Sequence, residues 1–280
     1  MTARKNKREI EELFRKLNGR DLDILRALHK YRYLTTHHLR RMYFKDSISG
    51  LAALRACNRI LAKLCRYGLV AHLKRRIGGV RAGSGAFVWL LAPAGARLLD
   101  IAEPRSEASP RKRRFEPSFA FLEHTLAVAE TAVRLDEMEE AGKLKVLAAA
   151  NEPDCWRGYS GAGGEPKTLK PDMFAVTAIG EYTDNWFLEI DLATEALSTV
   201  LKKCLQYISY YKTGLEQQKY GVFPYVVWIV PDEKRRDTVT GRIEELPHRK
   251  AQLFVVILMD ELELLLIKGA EDFKKERIKL

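Results

Sequence analysis

The sequence predicts an α/β protein in two parts, a helical module closed by a basic β-hairpin and a larger mixed α/β domain behind it. Three observations point that way. Charge is divided unevenly: residues 1–116 hold 27 Lys and Arg against 10 Asp and Glu, whereas residues 117–280 hold 21 against 27. Apolar residues recur at helical spacing through most of the first part and give way to strand-like segments in the second. Between the two, from Ile101 to Glu116, the periodicity disappears and Pro104, Ser106, Ser109, Pro110 and the run Arg111-Lys112-Arg113-Arg114 take over. That is the composition of a basic linker, here 101–116.

Residues 1–19 are a basic segment, charged throughout. From Asp21 the spacing of Leu22, Ile24, Leu25 and Leu28 predicts an amphipathic helix ending near Tyr31-Arg32-Tyr33. Thr35 or Thr36 caps a short second helix carrying Leu39, Met42 and Tyr43. A third helix runs from about Ser49 to Tyr67, with Leu54, Cys57, Leu61 and Leu64 as the expected inward stripe and Arg55, Arg59, Lys63 and Arg66 on another side. Gly68 closes it. Leu69 to Ile77 and Ala86 to Leu91 alternate as strands around a glycine-rich tip, Gly78 to Gly85, with Lys74, Arg75, Arg76 and Arg81 on or beside it.

Three helices followed by a basic hairpin, over 20–100, is the winged helix-turn-helix arrangement. Its expected partner is double-stranded DNA. Arg55, Arg59, Lys63 and Arg66 would face a groove while Lys74, Arg75, Arg76 and Arg81 meet phosphates.

Over 117–270 the expected order is α-β-β-β-α-β-β. A long helix from Phe119 to Met138 offers Leu122, Leu126, Ala129, Val133 and Leu135 for burial. Strands are expected at Leu144–Ala150, Met173–Ile179 and Trp186–Asp191, the last two forming a hairpin around Gly180-Glu181 and Asp184-Asn185. A helix from Thr194 to about Lys212 turns Leu197, Leu201, Leu205 and Ile208 inward, and strands at Val222–Val230 and Leu253–Met259 complete the set. Residues 271–280 read as a charged tail.

The chemistry of this domain lies in its carboxylates. Pro171-Asp172 opens one strand and Glu189-Ile190-Asp191 ends the next. Alternate strand residues share a face, so Glu189 and Asp191 point the same way about 7 Å apart, and a hairpin neighbour about 5 Å away brings in Asp172. Three converging carboxylates would suit Mg²⁺ or Mn²⁺ and the activation of water. The alternative is structural: Asp172 caps a turn, and Glu189 and Asp191 pair with Lys202, Lys203 or Arg157. Other chemistries have no support, since the chain lacks G-x-x-x-x-G-K-[ST], G-x-S-x-G and H-E-x-x-H. Its four cysteines form no C-x-x-C pair, His37-His38 has no evident third ligand, and Gly161-Ala162-Gly163-Gly164 lacks the lysine of a phosphate cradle. No apolar run reaches the roughly 18 residues of a membrane span, so a cytoplasmic protein without membrane contacts is expected.

The span from Lys170-Pro171-Asp172 to Glu189-Ile190-Asp191 resembles the PD-(D/E)xK nuclease core, except that Asp191 stands where the lysine belongs. Some members of that superfamily supply the lysine from the following helix, where Lys202 and Lys203 stand. The resemblance thus implies Asp172, Glu189 and Lys203 as the catalytic set, Asp172, Glu189 and Asp191 as metal ligands, Mg²⁺ or Mn²⁺ as cofactor if the domain cuts, and Glu130 as the usual place for an accessory acid. Arg20-Asp21-Leu22-Asp23-Ile24-Leu25, the segment Leu91 to Leu99, and Glu189 to Glu195 followed by Lys203 and Tyr207 are similar to the replication-relaxation family of mobile elements. That similarity spans about 20 to 211. It implies a DNA-binding protein of a plasmid or integrative element, acting in replication or in relaxation and transfer, with a replication protein or relaxase as protein partner. The displaced lysine favours a non-catalytic, nuclease-like scaffold. A metal-dependent endonuclease and a winged-helix transcriptional regulator are the alternatives, and homodimerisation is left open.

Overall fold

The computed structural model describes residues 5–45, 49–77, 86–103, 117–161, 163–246 and 252–277. The chain forms a mixed α/β structure of two compact units, Met1–Val133 and Arg134–Leu280. None of the described helices is long and apolar enough to cross a membrane.

The first unit runs α1 (Lys7–Phe14), α2 (Gly19–Tyr31), β1 (Leu34–Thr35), α3 (Thr36–Tyr43), α4 (Gly50–Arg66), β2 (Val70–Ile77), β3 (Ala86–Leu91) and α5 (Pro93–Ala102). Polar side chains start the helices by satisfying amides that have no intrahelical partner. Asn6, Asn18 and Thr35 each form a capping box, and Ser49 accepts the Ala52 amide at 3.2 Å. Pro93 opens α5, where a missing N–H costs nothing. The strands form an antiparallel sheet in the order β1-β3-β2. Inside lie Ile24, Leu25, Leu28, Leu34, Leu39, Cys57, Leu61 and Leu64. The basic segment is itself partly helical, because the Asn6–Glu9 box nucleates α1 and Ile10 is fully buried.

A long helix, α6 (Phe119–Glu140), begins in the first unit, where Leu122 and Leu126 pack on Val88 beside Tyr33 and Leu73. The second unit continues with β4 (Lys145–Asn151), β5 (Arg157–Ser160), β6 (Pro166–Leu169), β7 (Met173–Ile179), β8 (Tyr182–Ile190), α7 (Leu197–Tyr211), α8 (Leu215–Tyr220), β9 (Tyr225–Val230), α9 (Glu233–Glu244), β10 (Phe254–Leu258), α10 (Leu262–Lys268) and α11 (Ala270–Arg277). Five strands make one sheet, ordered β10-β9-β8-β7-β4. The pairs β4/β7 and β7/β8 are antiparallel, β8/β9 and β9/β10 parallel. Parallel neighbours need long connections, which α7 with α8 and then α9 supply. Phe174, Val176, Phe187, Val226, Trp228, Phe254 and Val256 of the sheet pack with Val200, Cys204, Tyr207, Ile208, Val239 and Ile243 of α7 and α9.

Several expectations are corrected here. Leu54 does not belong to the inward stripe of α4; it is 37% exposed and Ala53 is buried instead. On α7 the buried side chains are Val200, Cys204, Tyr207, Ile208 and Tyr210, with Leu205 outward at 55%. Both errors come from weighting leucine over a smaller or more polar residue on the true inner face. The hairpin turns at Gly180-Glu181, since Ile179 lies opposite Tyr182, and Asp184 and Asn185 are strand residues of β8. The expected order also omits the short β5/β6 hairpin, α8, the highly charged α9, and α10 and α11, whose Ala270 and Phe273 are buried.

Candidate functional site

On α4 successive side chains turn by about 100°, which separates two faces. Ala53, Cys57, Leu61 and Leu64 are buried, while Leu51, Leu54, Arg55, Asn58, Arg59, Ala62 and Arg66 are exposed. Arg55, Arg59 and Arg66 form no ion pair among the described residues. Lys63 is different. Its ammonium lies 2.5 Å from Asp21 Oδ2, a carboxylate that also closes the cap of α2 by accepting the Asn18 amide at 3.0 Å. A cation held that way neutralises a buried charge and is not available to phosphate. Lys74, Arg75 and Arg76 lie on β2. Arg81, the rest of the hairpin tip and the run Arg111 to Arg114 lie outside the described residues.

The carboxylates of the second unit are sorted by the sheet. The register sets Met173 opposite Leu188, which puts Asp172 beside Glu189. Asp172 Oδ2 accepts the Ile190 amide at 2.8 Å, extending the pairing one step ahead of the first residue of β7. Glu189, fully buried, turns to α7: its Oε2 receives the Lys203 ammonium at 2.5 Å and its Oε1 the Tyr207 hydroxyl. Lys203 also lies 3.9 Å from Asp172 Oδ1. Asp191, two residues on, meets another helix. Arg235 Nε of α9 binds its Oδ2 at 2.6 Å, and its Oδ1 accepts the Ala193 amide at 2.8 Å, holding Ala193 in the left-handed region at φ 57°.

The structure therefore brings Asp172, Glu189 and Lys203 together but draws Asp191 away from them. The expected metal triad of Asp172, Glu189 and Asp191 is not formed, and among the described residues no three His, Cys, Asp or Glu side chains gather to hold a metal. Both oxygens of Glu189 are engaged by hydrogen-bond donors, Lys203 and Tyr207. Burial pushes the Glu189 carboxyl up to about 8 against the pull of Lys203. The Lys203 ammonium, which burial alone would lower, is held above its ordinary range by Glu189 and Asp172. Burial, then the neighbouring carboxylate, raises the Tyr207 hydroxyl well above its usual range.

A family model described as replication-relaxation matches residues 25–226. The chain belongs to the replication-relaxation family. Membership implies a role in the replication or relaxation of a plasmid or mobile element. No curated protein and no solved structure matches the chain.

In this replication-relaxation protein several roles differ from those that spacing alone assigns. Glu130 of α6, at the usual place for an accessory acid but read from the sequence as an exposed helix residue, is partly buried, bound by Arg41 at 2.5 Å and 3.4 Å from His38. Arg157, weighed as a partner for the acidic strand, instead binds the buried Glu216 at 2.7 Å, which the Tyr210 hydroxyl also reaches at 2.7 Å. Tyr207 and Arg235 were missed as partners of the acids. Helical spacing from Lys203 could have suggested Tyr207, one turn further along the same face. No local signal could have linked Arg235 to Asp191 across 44 positions.

Proposed function

We propose that this replication-relaxation protein binds duplex DNA through its first unit and that its second unit is a nuclease-like scaffold that does not cut. The observation that carries the first clause is the outward face of α4, where Arg55, Arg59 and Arg66 stand exposed and unpaired among the described residues. Unpaired guanidiniums on one helix face attract a polyanion, and they lie within a segment holding 27 Lys and Arg against 10 Asp and Glu. The order helix, short strand, helix, helix, hairpin over α2 to β3 supports a winged helix-turn-helix reading in which α4 is the groove helix.

For the second unit, the succession β4-β7-β8-α7-β9 after the end of α6, three antiparallel strands and then a parallel one, supports a PD-(D/E)xK-like core. Both oxygens of Glu189 are consumed by Lys203 and Tyr207, which favours a structural pairing over catalysis. One observation favours the rival reading of an endonuclease: Lys203, coming from the helix, stands beside both Asp172 and Glu189.

A time course on supercoiled plasmid with Mg²⁺ or Mn²⁺, run for the parent and for Asp172→Ala, separates the two. The scaffold reading expects both proteins to retard the DNA and neither to nick it. Nicking by the parent that disappears in Asp172→Ala would replace it with the endonuclease reading.

A further inference from the structure

The exposed face of α4 carries more than cations. Leu51 is 67% exposed and Leu54 37%, both in the first turn and a half of the helix, and Asn58 follows one turn later. At about 100° per residue, Leu51, Leu54, Arg55, Asn58, Arg59, Ala62 and Arg66 fall within an arc of roughly 140°. The apolar pair and the arginines therefore belong to one surface. An apolar protein partner seated on Leu51 and Leu54 would have to desolvate Arg55 and Arg59 beside them, and those arginines have no carboxylate among the described residues to offset the cost. A DNA major groove offers both chemistries at once, phosphates along its rims and thymine methyl groups on its floor.

We propose that Leu51 and Leu54 are specificity residues that read thymine 5-methyl groups, with Asn58 positioned for an adenine edge and Arg55, Arg59 and Arg66 for guanine or phosphate. The inference rests on the duplex-binding reading above and deepens it. The first residues of a groove helix are the ones that reach base edges, and here the large side chains exposed among them are Leu51 and Leu54. Leucine cannot hydrogen-bond a base; the feature it recognises is the methyl that distinguishes thymine. Asn58, one turn on, can pair in bidentate fashion with adenine N6 and N7, so the part of the face formed by Leu51, Leu54 and Asn58 favours A·T steps. The small Ala62 leaves the next turn free to approach the backbone closely.

The test uses the full-length protein and duplexes selected from a random pool. Each thymine of a selected site is replaced in turn by deoxyuridine, which removes the methyl and leaves the hydrogen-bonding edge intact. At one or two positions the parent is expected to lose affinity about three- to fourfold per methyl. Leu51→Ala with Leu54→Ala is expected to bind more weakly than the parent and equally to the thymine and deoxyuridine duplexes. A parent that binds duplex DNA but is indifferent to deoxyuridine at every position would overturn this inference while leaving duplex binding intact. Failure of the parent to bind any duplex would overturn the underlying reading as well. A shift of the double variant to a smaller species in size-exclusion chromatography would assign the two leucines to self-association and also overturn the proposal.

Discussion

At the scale of single residues, the same side-chain type does different work depending on what faces it. Arg59 and Lys63 lie one turn apart on α4, yet Arg59 is exposed and Lys63 is committed to the buried Asp21. Lys63→Ala should therefore lower the stability of the protein, by about 2 kcal/mol; the pair is less than fully buried, so the loss falls short of the roughly 3–5 kcal/mol seen when an enclosed pair is broken. Arg59→Ala should leave the melting temperature nearly unchanged and weaken DNA binding. Thermal melts beside binding isotherms on both variants check this, and a Lys63→Ala protein of parental stability with impaired binding would reverse the assignment.

Glu189 gives a second residue-scale expectation. Its carboxyl titrates near 8 when folded and near 4.5 when unfolded, so between those values folding takes up a proton. Its contribution to stability is complete below about pH 4.5 and is lost as pH rises through 8. Urea midpoints of Glu189→Gln, which keeps the shape without the titration, should fall less from pH 5 to pH 8 than those of the parent. Parallel curves would mean that the carboxylate stays ionised beside Lys203 throughout.

At the scale of elements, the sequence was most legible where periodicity and caps agree. Thr35 and Ser49 mark the starts of α3 and α4, and the short apolar run Met173–Ile179 gives β7 to the residue. It was least legible where an element owes its place to distant partners. The β5/β6 strands are four residues each, too short for a period to emerge, and α9 buries only Val239 and Ile243 within a charged segment. The acids show the same division. That Glu189 and Asp191 share a face follows from strand geometry, and Lys203 stood among the partners that the expected helix offers them; that Asp191 is met by Arg235 of α9 depends on a helix that no strand pattern predicts.

Element packing also explains Gly95, in the segment Leu91 to Leu99 that carries part of the family likeness. A Cβ there would collide with the Leu69 carbonyl oxygen and lie 2.7 Å from Leu91 Cδ1, so α5 can rest against the β2–β3 hairpin only without a side chain. Gly95→Ala is expected to cost about 2 kcal/mol, within the range for forcing an atom into a filled space. A variant as stable as the parent in urea would show that α5 can shift without penalty.

For the whole molecule, the division of charge and the division into two compact units tell one story. A basic first part with an unpaired arginine face suits a polyanion, and a net acidic second part with internally paired carboxylates suits a scaffold. Family membership places the activity in replication or relaxation of a plasmid or mobile element. The measurement that tests the central claim most directly is the salt dependence of duplex binding by the full-length protein, for the parent and for Arg55→Ala with Arg59→Ala. The parent should bind with an affinity that falls steeply as salt rises. The double variant should bind more weakly, with a log–log slope shallower by roughly 2, about 0.9 for each phosphate that is no longer neutralised. An unchanged slope and affinity would remove α4 from the interface and contradict the account.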